Sequence, residues 1–94
     1  MLNERIREIR TAKKMSQVEL ANILGVTKQS VSNWENDNIQ PSIEMLIKLA
    51  KALSVSSDYL LGIDERRYLD ITGLSESEAQ HIQFLIDDIK NRKI

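Results

Sequence analysis

Residues 17–36 read QVELANILGVTKQSVSNWEN, and this stretch decides the fold that the sequence predicts. It opens after Ser16, which forms a capping box with Glu19 three positions later, a typical beginning of an α-helix. Apolar residues then recur at a helical spacing rather than in alternation. Gly25 predicts the end of this helix, because glycine accepts the positive φ angle of a tight turn without a β-carbon clash.

A second helix follows the turn and has one apolar and one polar face. Thr27 is a suitable N-cap, and Val31 and Trp34 lie three positions apart, so they share the side that packs inward. The residues left for the outer surface are Lys28, Gln29, Ser32 and Asn33. Glutamine and asparagine can pair with adenine in the major groove of DNA, and lysine with guanine. These four are the candidate base contacts, although the solvated face of an ordinary helical hairpin has the same pattern.

The segment resembles the helix-turn-helix of the lambda-repressor-like, Cro-type family of bacterial and phage transcriptional regulators, also called the XRE family. The resemblance covers residues 2 to about 62 and rests on the spacing of Gln17, Ala21, Gly25, Val31, Trp34, Glu35 and Asn36. It implies an all-α fold in which five helices form a DNA-binding domain. It also implies sequence-specific binding of double-stranded DNA, with repression of transcription from a palindromic operator.

Further residues receive roles beside the candidate base contacts. The resemblance implies that Arg10 and Glu35 form a structural ion pair, which ties the first helix to the end of the recognition helix. It also implies that Gln17 anchors to a DNA phosphate and braces Gln29. The full set of candidate phosphate contacts is Gln17, Thr27, Asn36 and Lys13.

Two helix ends depart from the pattern of the family. Many relatives carry a basic residue and then glycine where this chain has Asp37 and Asn38, and Asn38 is expected to adopt the left-handed conformation in place of glycine. Ser54 stands where relatives often have glycine, which requires either another helix ending or backbone strain. Gln40 takes a place often held by lysine or arginine. These changes predict a weaker clamp on phosphate and leave the fold intact.

The other helices of residues 1–62 are predicted from apolar spacing. The first helix is expected to bury Ile6 and Ile9 and to leave Arg5 and Arg7 facing solvent. The fourth helix has a broad apolar face that suits packing in the centre of a bundle. Its members are Ile43, Leu46, Ile47, Leu49, Ala50 and Leu53.

Residues 63–94 are predicted to form a linker and a dimerisation helix that follow the domain of residues 1–62. Ser75 and Glu78 form a second capping box, and an amphipathic helix follows from about Glu76 to Arg92. Phe84 lies on the opposite side of this helix from its apolar stripe. Two apolar sides favour one contact within the chain and one with a second copy, so a homodimer is expected. The candidate interface residues are Ile82, Phe84, Leu85, Ile86 and Ile89.

Composition limits the other classes of function. The chain has 94 residues, no cysteine and one histidine, so neither a disulfide framework nor a thiolate zinc site is expected. No apolar run is long enough to span a membrane, and no signal-peptide pattern is present, which predicts a cytoplasmic protein. No enzyme, cofactor, metal or ligand-sensing domain is expected, because the single His81 has no catalytic partner and the common nucleotide motifs are missing.

The charge distribution keeps one alternative open. The net charge is −1: residues 1–62 hold eight Lys/Arg against seven Asp/Glu, and residues 63–94 hold five against seven. A nonspecific DNA binder would be strongly basic, so binding must use a local patch and directed contacts. The alternative is an antitoxin-like or anti-repressor interaction module. In that case the helix from about Glu76 to Arg92 binds a different protein instead of a second copy of the chain.

Overall fold

The computed structural model describes residues 1–92, and all regular structure in that part of the chain is α-helical. The helices are α1 (Leu2–Ala12), α2 (Gln17–Leu24), α3 (Lys28–Glu35), α4 (Ile43–Leu53), α5 (Ser57–Leu61) and α6 (Glu76–Asn91). The all-α fold class is therefore confirmed, with five helices before the connector (residues 63–75) and one helix after it.

Local hydrogen bonds determine where α2 begins and ends. The Ser16 hydroxyl accepts a bond from the Glu19 amide at 3.0 Å, and the Glu19 carboxylate accepts one from the Ser16 amide at 3.0 Å. Gly25 ends the helix with a φ of 73°. The Thr27 hydroxyl then accepts a bond from the Ser30 amide at 3.1 Å and caps α3. The turn between the two helices is thus specified by residues within it.

The core is formed by side chains from each of the five helices α1 to α5, and it holds α3 in place. Helix α2 packs against α3 and α4, while α1 packs against α3, α4 and α5. The apolar side chains that are completely shielded from solvent are Ile6, Leu20, Val31, Leu49, Leu53 and Leu60. Each contributes about 1.5–3 kcal/mol relative to exposure. Because two helices hold the inner side of α3, its other side is presented to the exterior.

The apolar face of α4 is narrower than the sequence predicts. Ile43 is 80% exposed and Ile47 is 49% exposed, so the expectation that both pack centrally is wrong. The buried residues of α4 are Leu46, Leu49, Ala50 and Leu53, which form one stripe at helical spacing. Ile43 and Ile47 fall at one edge of that stripe, outside the side that the neighbouring helices cover.

The left-handed residue that follows α3 lies one position earlier than expected. Asp37 has the left-handed conformation, with a φ of 58°, whereas Asn38 does not have a positive φ. The amide of Asn38 donates to the carbonyl of Asn33 at 2.9 Å, which closes the wide ring of a Schellman ending. That ring requires its left-handed residue at position 37, and aspartate tolerates this conformation better than most residues.

Helix α4 ends in the same kind of motif. Of the two alternatives expected at Ser54, another helix ending or backbone strain, the structure shows the strain. Ser54 has a φ of 59° and a ψ of 42°, and the Val55 amide donates to the carbonyl of Ala50 at 3.0 Å. A serine therefore holds the left-handed position that a glycine would fill more easily.

The Ser54→Gly variant is expected to be more stable by about 0.5–1 kcal/mol, since the relief of left-handed strain exceeds the added entropy of the unfolded chain. Thermal unfolding would show a rise of a few degrees. Ser57→Gly is the control, because Ser57 lies in the first turn of α5 without a positive φ and glycine there only weakens the helix. Equal destabilisation by both substitutions would contradict the argument.

Candidate nucleic-acid interface

Helix α3 presents a polar surface opposite its buried face. Val31, Trp34 and Glu35 are its buried residues. Lys28 and Gln29 are exposed, and Ser32 and Asn33 are half-exposed. All four predicted base contacts therefore reach the outside of one helix that is anchored from behind.

Hydrogen bonds between neighbouring turns order this polar surface. The Gln29 side-chain amide donates to the Asn33 amide oxygen at 3.0 Å. The Asn36 side-chain amide donates to the Ser32 hydroxyl at 3.2 Å. A primary amide carries two N–H donors and an acceptor oxygen, so each pairing uses only part of its capacity. The side chains are partly ordered and keep donors and acceptors for another polar partner.

Arg7 extends this surface from α1 and is a residue that the sequence analysis missed. Its guanidinium donates to the Asn36 side-chain oxygen at 2.8 Å and to the Glu35 carbonyl at 3.3 Å. The side chain is 53% exposed, so the positive charge also faces solvent. Arg7 faces solvent as expected, and because position 7 also lies against the end of α3, its side chain contacts Glu35 and Asn36 as well. Only the packing of α1 on α3 reveals this contact.

Arg5, in contrast, is not the solvent-facing residue that was expected. Its side chain is 13% exposed and lies on the other side of α1, against α5 and the connector. The guanidinium donates to the backbone carbonyl of Tyr59 and forms an ion pair with Glu65 at 2.5 Å. The partner in the connector lies sixty residues away, which is why helical spacing alone did not reveal it.

Behind the polar surface lies the buried carboxylate of Glu35, which joins three helices. Arg10 forms the ion pair implied by the family resemblance, with Nε at 2.6 Å and Nη2 at 3.0 Å from the two carboxylate oxygens. Arg10 also donates to the carbonyl of Met15 at 2.7 Å. The side chain of Glu35 is fully shielded from solvent. This bidentate ion pair connects α1 to the end of α3.

Gln17 completes this buried cluster from α2. Its side-chain amide donates to Glu35 at 3.0 Å. Gln29 pairs with Asn33 instead, so the expectation that Gln17 braces Gln29 is wrong. A buried carboxylate attracts an amide donor more strongly than an exposed neutral amide does, which accounts for the choice. The half-exposed Gln17 still lies at the start of α2.

The electrostatics of the cluster keep Glu35 ionised. Burial by itself raises the pKa of the Glu35 carboxyl. Hydrogen bonds from Arg10 and Gln17, together with the charges of Arg10 and Arg7, outweigh burial, and the pKa lies below its ordinary value. The carboxylate therefore stays charged at neutral pH and holds its donors in place.

The remaining candidate phosphate contacts lie at helix ends. Thr27 and Asn36 are exposed at the two ends of α3, and Lys13 is exposed at the end of α1. Within residues 1–92 no group of three or more His, Cys, Asp or Glu side chains is placed to hold a metal ion. None of the described helices is long and apolar enough to cross a membrane.

Helix α6 carries the other candidate surface and has no buried residue. Ile82 and Ile86 are half-buried and line one groove together with Tyr68, Leu69 and Ile71 of the connector. The other three candidate interface residues are open to solvent, with exposures of 69% for Phe84, 47% for Leu85 and 52% for Ile89. The chain's own connector thus covers one edge of the stripe and leaves the rest free.

Comparison with known proteins identifies the fold and its class. A family described as helix-turn-helix matches residues 6–60, which is more than half of the chain. The prophage-derived HTH-type transcriptional regulator YonR of Bacillus subtilis is 33% identical over 91 residues, which cover 97% of this chain and 69% of YonR. The sequence relationship therefore extends through the connector and into α6.

Two solved structures resemble the chain in different regions. The c2 repressor of Salmonella phage P22, solved with a synthetic operator, is 41% identical with a TM-score of 0.65, and the match covers 68% of this chain and 97% of that one. SinR of Bacillus subtilis, solved with the SinI protein, is 30% identical with a TM-score of 0.63 over 99% of this chain and 98% of that one.

These matches confirm the family that the sequence resembles. The family match covers residues 6–60 and so includes α2, the turn at Gly25 and α3, and the P22 c2 repressor shares the fold over 68% of this chain. Members of this family regulate transcription and are not enzymes. The chain belongs to the lambda-repressor-like helix-turn-helix family of DNA-binding transcriptional regulators.

Proposed function

We propose that this protein is a transcriptional repressor that binds a palindromic operator as a homodimer. The observation that carries this proposal is the polar outer face of α3, on a helix whose inner face is fixed by Val31, Trp34 and Glu35. The P22 c2 repressor, with 41% identity over this region, has been solved on an operator. Placed in a major groove in the same way, α3 would present its polar residues to base edges.

Each candidate residue has a chemical role in this complex. Gln29 and Asn33 are suited to the donor and acceptor pair of adenine, and Lys28 to the two acceptors of guanine. Ser32 can serve either kind of base. Phosphate contacts come from the surrounding helix ends, with Arg7 added to the predicted set of Gln17, Thr27, Asn36 and Lys13. Occupation of the operator then excludes the transcription machinery.

In this proposal, two copies of the chain associate through residues 63–94. Residues 1–62 act as the DNA-binding domain, and residues 63–94 as linker and dimerisation helix. The exposed side chains Leu85 and Ile89 form the centre of the contact, with Phe84 at its periphery, because single helices rarely leave so much apolar surface in water. Two recognition helices related by a two-fold axis would read an inverted repeat.

The alternative is an interaction module whose tail binds a different protein. It is favoured by the small net charge of −1 and by the full-length resemblance to SinR, which has been solved with SinI. The two proposals differ in the residues they need. DNA reading depends on α3, whereas capture of another protein depends on α6 alone.

Replacing Gln29 with alanine tests the DNA proposal. Loss of a two-point contact to a base should weaken operator binding by about 1–3 kcal/mol per site, or roughly 5- to 150-fold, and relax the preference at one base pair. The operator is first selected from random duplexes with the native protein. Affinity is then measured for Gln29→Ala and for Gln80→Ala, a matched control on the exposed side of α6.

Three outcomes separate the proposals. Weaker binding for Gln29→Ala with an unchanged Gln80→Ala supports base reading. Equal affinities for both variants would remove Gln29 from the interface. Failure of the native protein to enrich any duplex would contradict the DNA proposal and favour the interaction module.

Salt dependence measures how many phosphates the protein contacts. With few basic residues on the α3 side, the native dimer is expected to contact about three to five phosphates, which gives a slope of roughly −3 to −4.5 in log affinity against log salt. Arg7→Ala should reduce the magnitude of the slope by about 1 per chain. Arg66→Ala is the control, because Arg66 pairs with Asp64 inside the connector. A native slope near −10 would refute this count.

A further inference from the structure

The connector is attached to the five-helix bundle by a cluster of charged and aromatic side chains. The Arg5 guanidinium stacks on the ring of Tyr59, with 4.2 Å between Cζ and the ring centroid. The same guanidinium donates to the carbonyl of Tyr59 and pairs with Glu65 at 2.5 Å. Arg67 lies 5.3 Å from the same ring. We refer to Arg5, Tyr59, Glu65 and Arg67 as the connector clamp.

The clamp differs from an ordinary surface ion pair. An exposed pair between long side chains contributes little, because both side chains lose freedom. Arg5 is 13% exposed and makes three contacts at once, through stacking, a backbone carbonyl and a carboxylate. Two of these contacts are to the bundle and one is to the connector, so Arg5 joins the two parts of the chain.

A few residues later the connector passes beside the bundle. Tyr68 and Leu69 line one groove with Ser54, Val55 and Ser56, at the turn between α4 and α5. Tyr68 and Leu69 also line the groove under Ile82 and Ile86 of α6. The connector thus runs from the clamp, across the α4–α5 turn, to the inner edge of α6. The clamp holds residues 65–67 near the bundle and so shortens the part of the connector that can move freely before α6 begins.

We propose that the connector clamp determines which operator spacing the protein accepts. This inference rests on the proposed homodimer, in which α6 joins two copies and each α3 reads one half-site. A free tether of thirteen residues could extend up to about 45 Å and would tolerate many separations. A clamped connector fixes the distance and the angle between the two recognition helices. Each added base pair then moves a half-site by about 3.4 Å and turns it by about one tenth of a helical turn.

The test is a spacing profile measured on the full chain. Affinity is determined for duplexes whose selected half-sites are separated in steps of one base pair, and for a single half-site. The native protein is expected to prefer one spacing by at least about tenfold over its neighbours. Arg5→Ala is expected to reduce that preference to about threefold or less, while affinity for the single half-site stays within about twofold.

Two further variants keep the test independent of folding. Glu65→Ala combined with Arg67→Ala removes the clamp from the connector side and leaves the bundle unchanged, and it should flatten the profile in the same way. Arg66→Ala removes a neighbouring charge whose contacts stay within the connector, and it should keep the native profile.

The outcomes distinguish the inference from the function on which it rests. An unchanged profile in Arg5→Ala and in the double variant would overturn the clamp as the determinant of spacing, while the dimeric repressor would stand. A native protein that binds every spacing and the single half-site equally would overturn both the homodimer and the inference.

Discussion

Replacing Glu35 with alanine is expected to lower the free energy of unfolding by about 3–5 kcal/mol. The substitution leaves Arg10 partly buried with its main charged partner removed, and an uncompensated buried charge is among the costliest single defects. It also removes the acceptor of Gln17. Because a small domain has only about 5–15 kcal/mol of net stability, a large share of the total would be lost.

The effect of Glu35 should depend on pH in a predictable direction. The pKa of Glu35 is lowered in the folded state, so the folded protein favours the ionised carboxylate more than the unfolded chain does. The contribution is therefore complete above the unfolded-state pKa of about 4.3 and disappears as the pH falls through the lower folded-state value. Chemical unfolding at pH 7 and at pH 3 would measure it.

Two controls define this experiment. Glu35→Gln keeps the shape and the acceptor oxygen but not the charge, so it should lose less than Glu35→Ala at pH 7 and show little pH dependence from this site. Glu19→Ala removes an exposed carboxylate that only caps α2, and should cost about 1 kcal/mol or less. A difference in the free energy of unfolding between Glu35→Ala and the native protein that stays constant from pH 7 to pH 3 would refute the role of ionisation.

Replacing Leu85 with glutamate is expected to reduce operator affinity by at least about 100-fold. The charge would lie in the middle of the proposed α6 contact, where it could not be solvated, and the dimer should dissociate. Linked half-site contacts gain about 10²–10⁴ in apparent affinity over a single one, and this gain disappears in a monomer. Light scattering and operator binding on the same sample would measure both effects.

The control carries the same charge on the other side of the helix. Gln80→Glu places a glutamate on an exposed position of α6, opposite the Leu85 stripe, and should leave both mass and affinity unchanged. A monomeric Leu85→Glu protein that retains native operator affinity would refute the link between dimer and binding. A native protein that is itself monomeric would exclude the homodimer.

Local signals in the sequence were sufficient for much of the fold. The capping boxes at Ser16 and Ser75 and the turn at Gly25 involve residues only a few positions apart, and the structure forms each of them. The helical spacing of the apolar residues likewise specified which side of α3 is buried. Such features are predictable because the groups that stabilise them are neighbours in the chain.

Contacts between distant positions were predicted less well. Arg5 and Arg7 were expected to face solvent, since their positions on α1 lie beside the apolar stripe, and only the packing of α3, α5 and the connector showed their partners. The pairing of Gln17 with Glu35 likewise depends on how three helices meet. Ile43 was misplaced because periodicity shows that a face is apolar, but not how far its neighbours extend.

The two faces of α3 also bear on how this protein can evolve. The residues that hold the helix in the bundle and the residues that are proposed to read bases are different side chains. Changes at Lys28 or Gln29, both exposed, should alter stability by no more than about 0.5 kcal/mol, as is usual for surface positions. New operator preferences could therefore accumulate by single substitutions without passing through unfolded intermediates. Lineages of this protein can diverge in the sites they recognise while their scaffold stays the same.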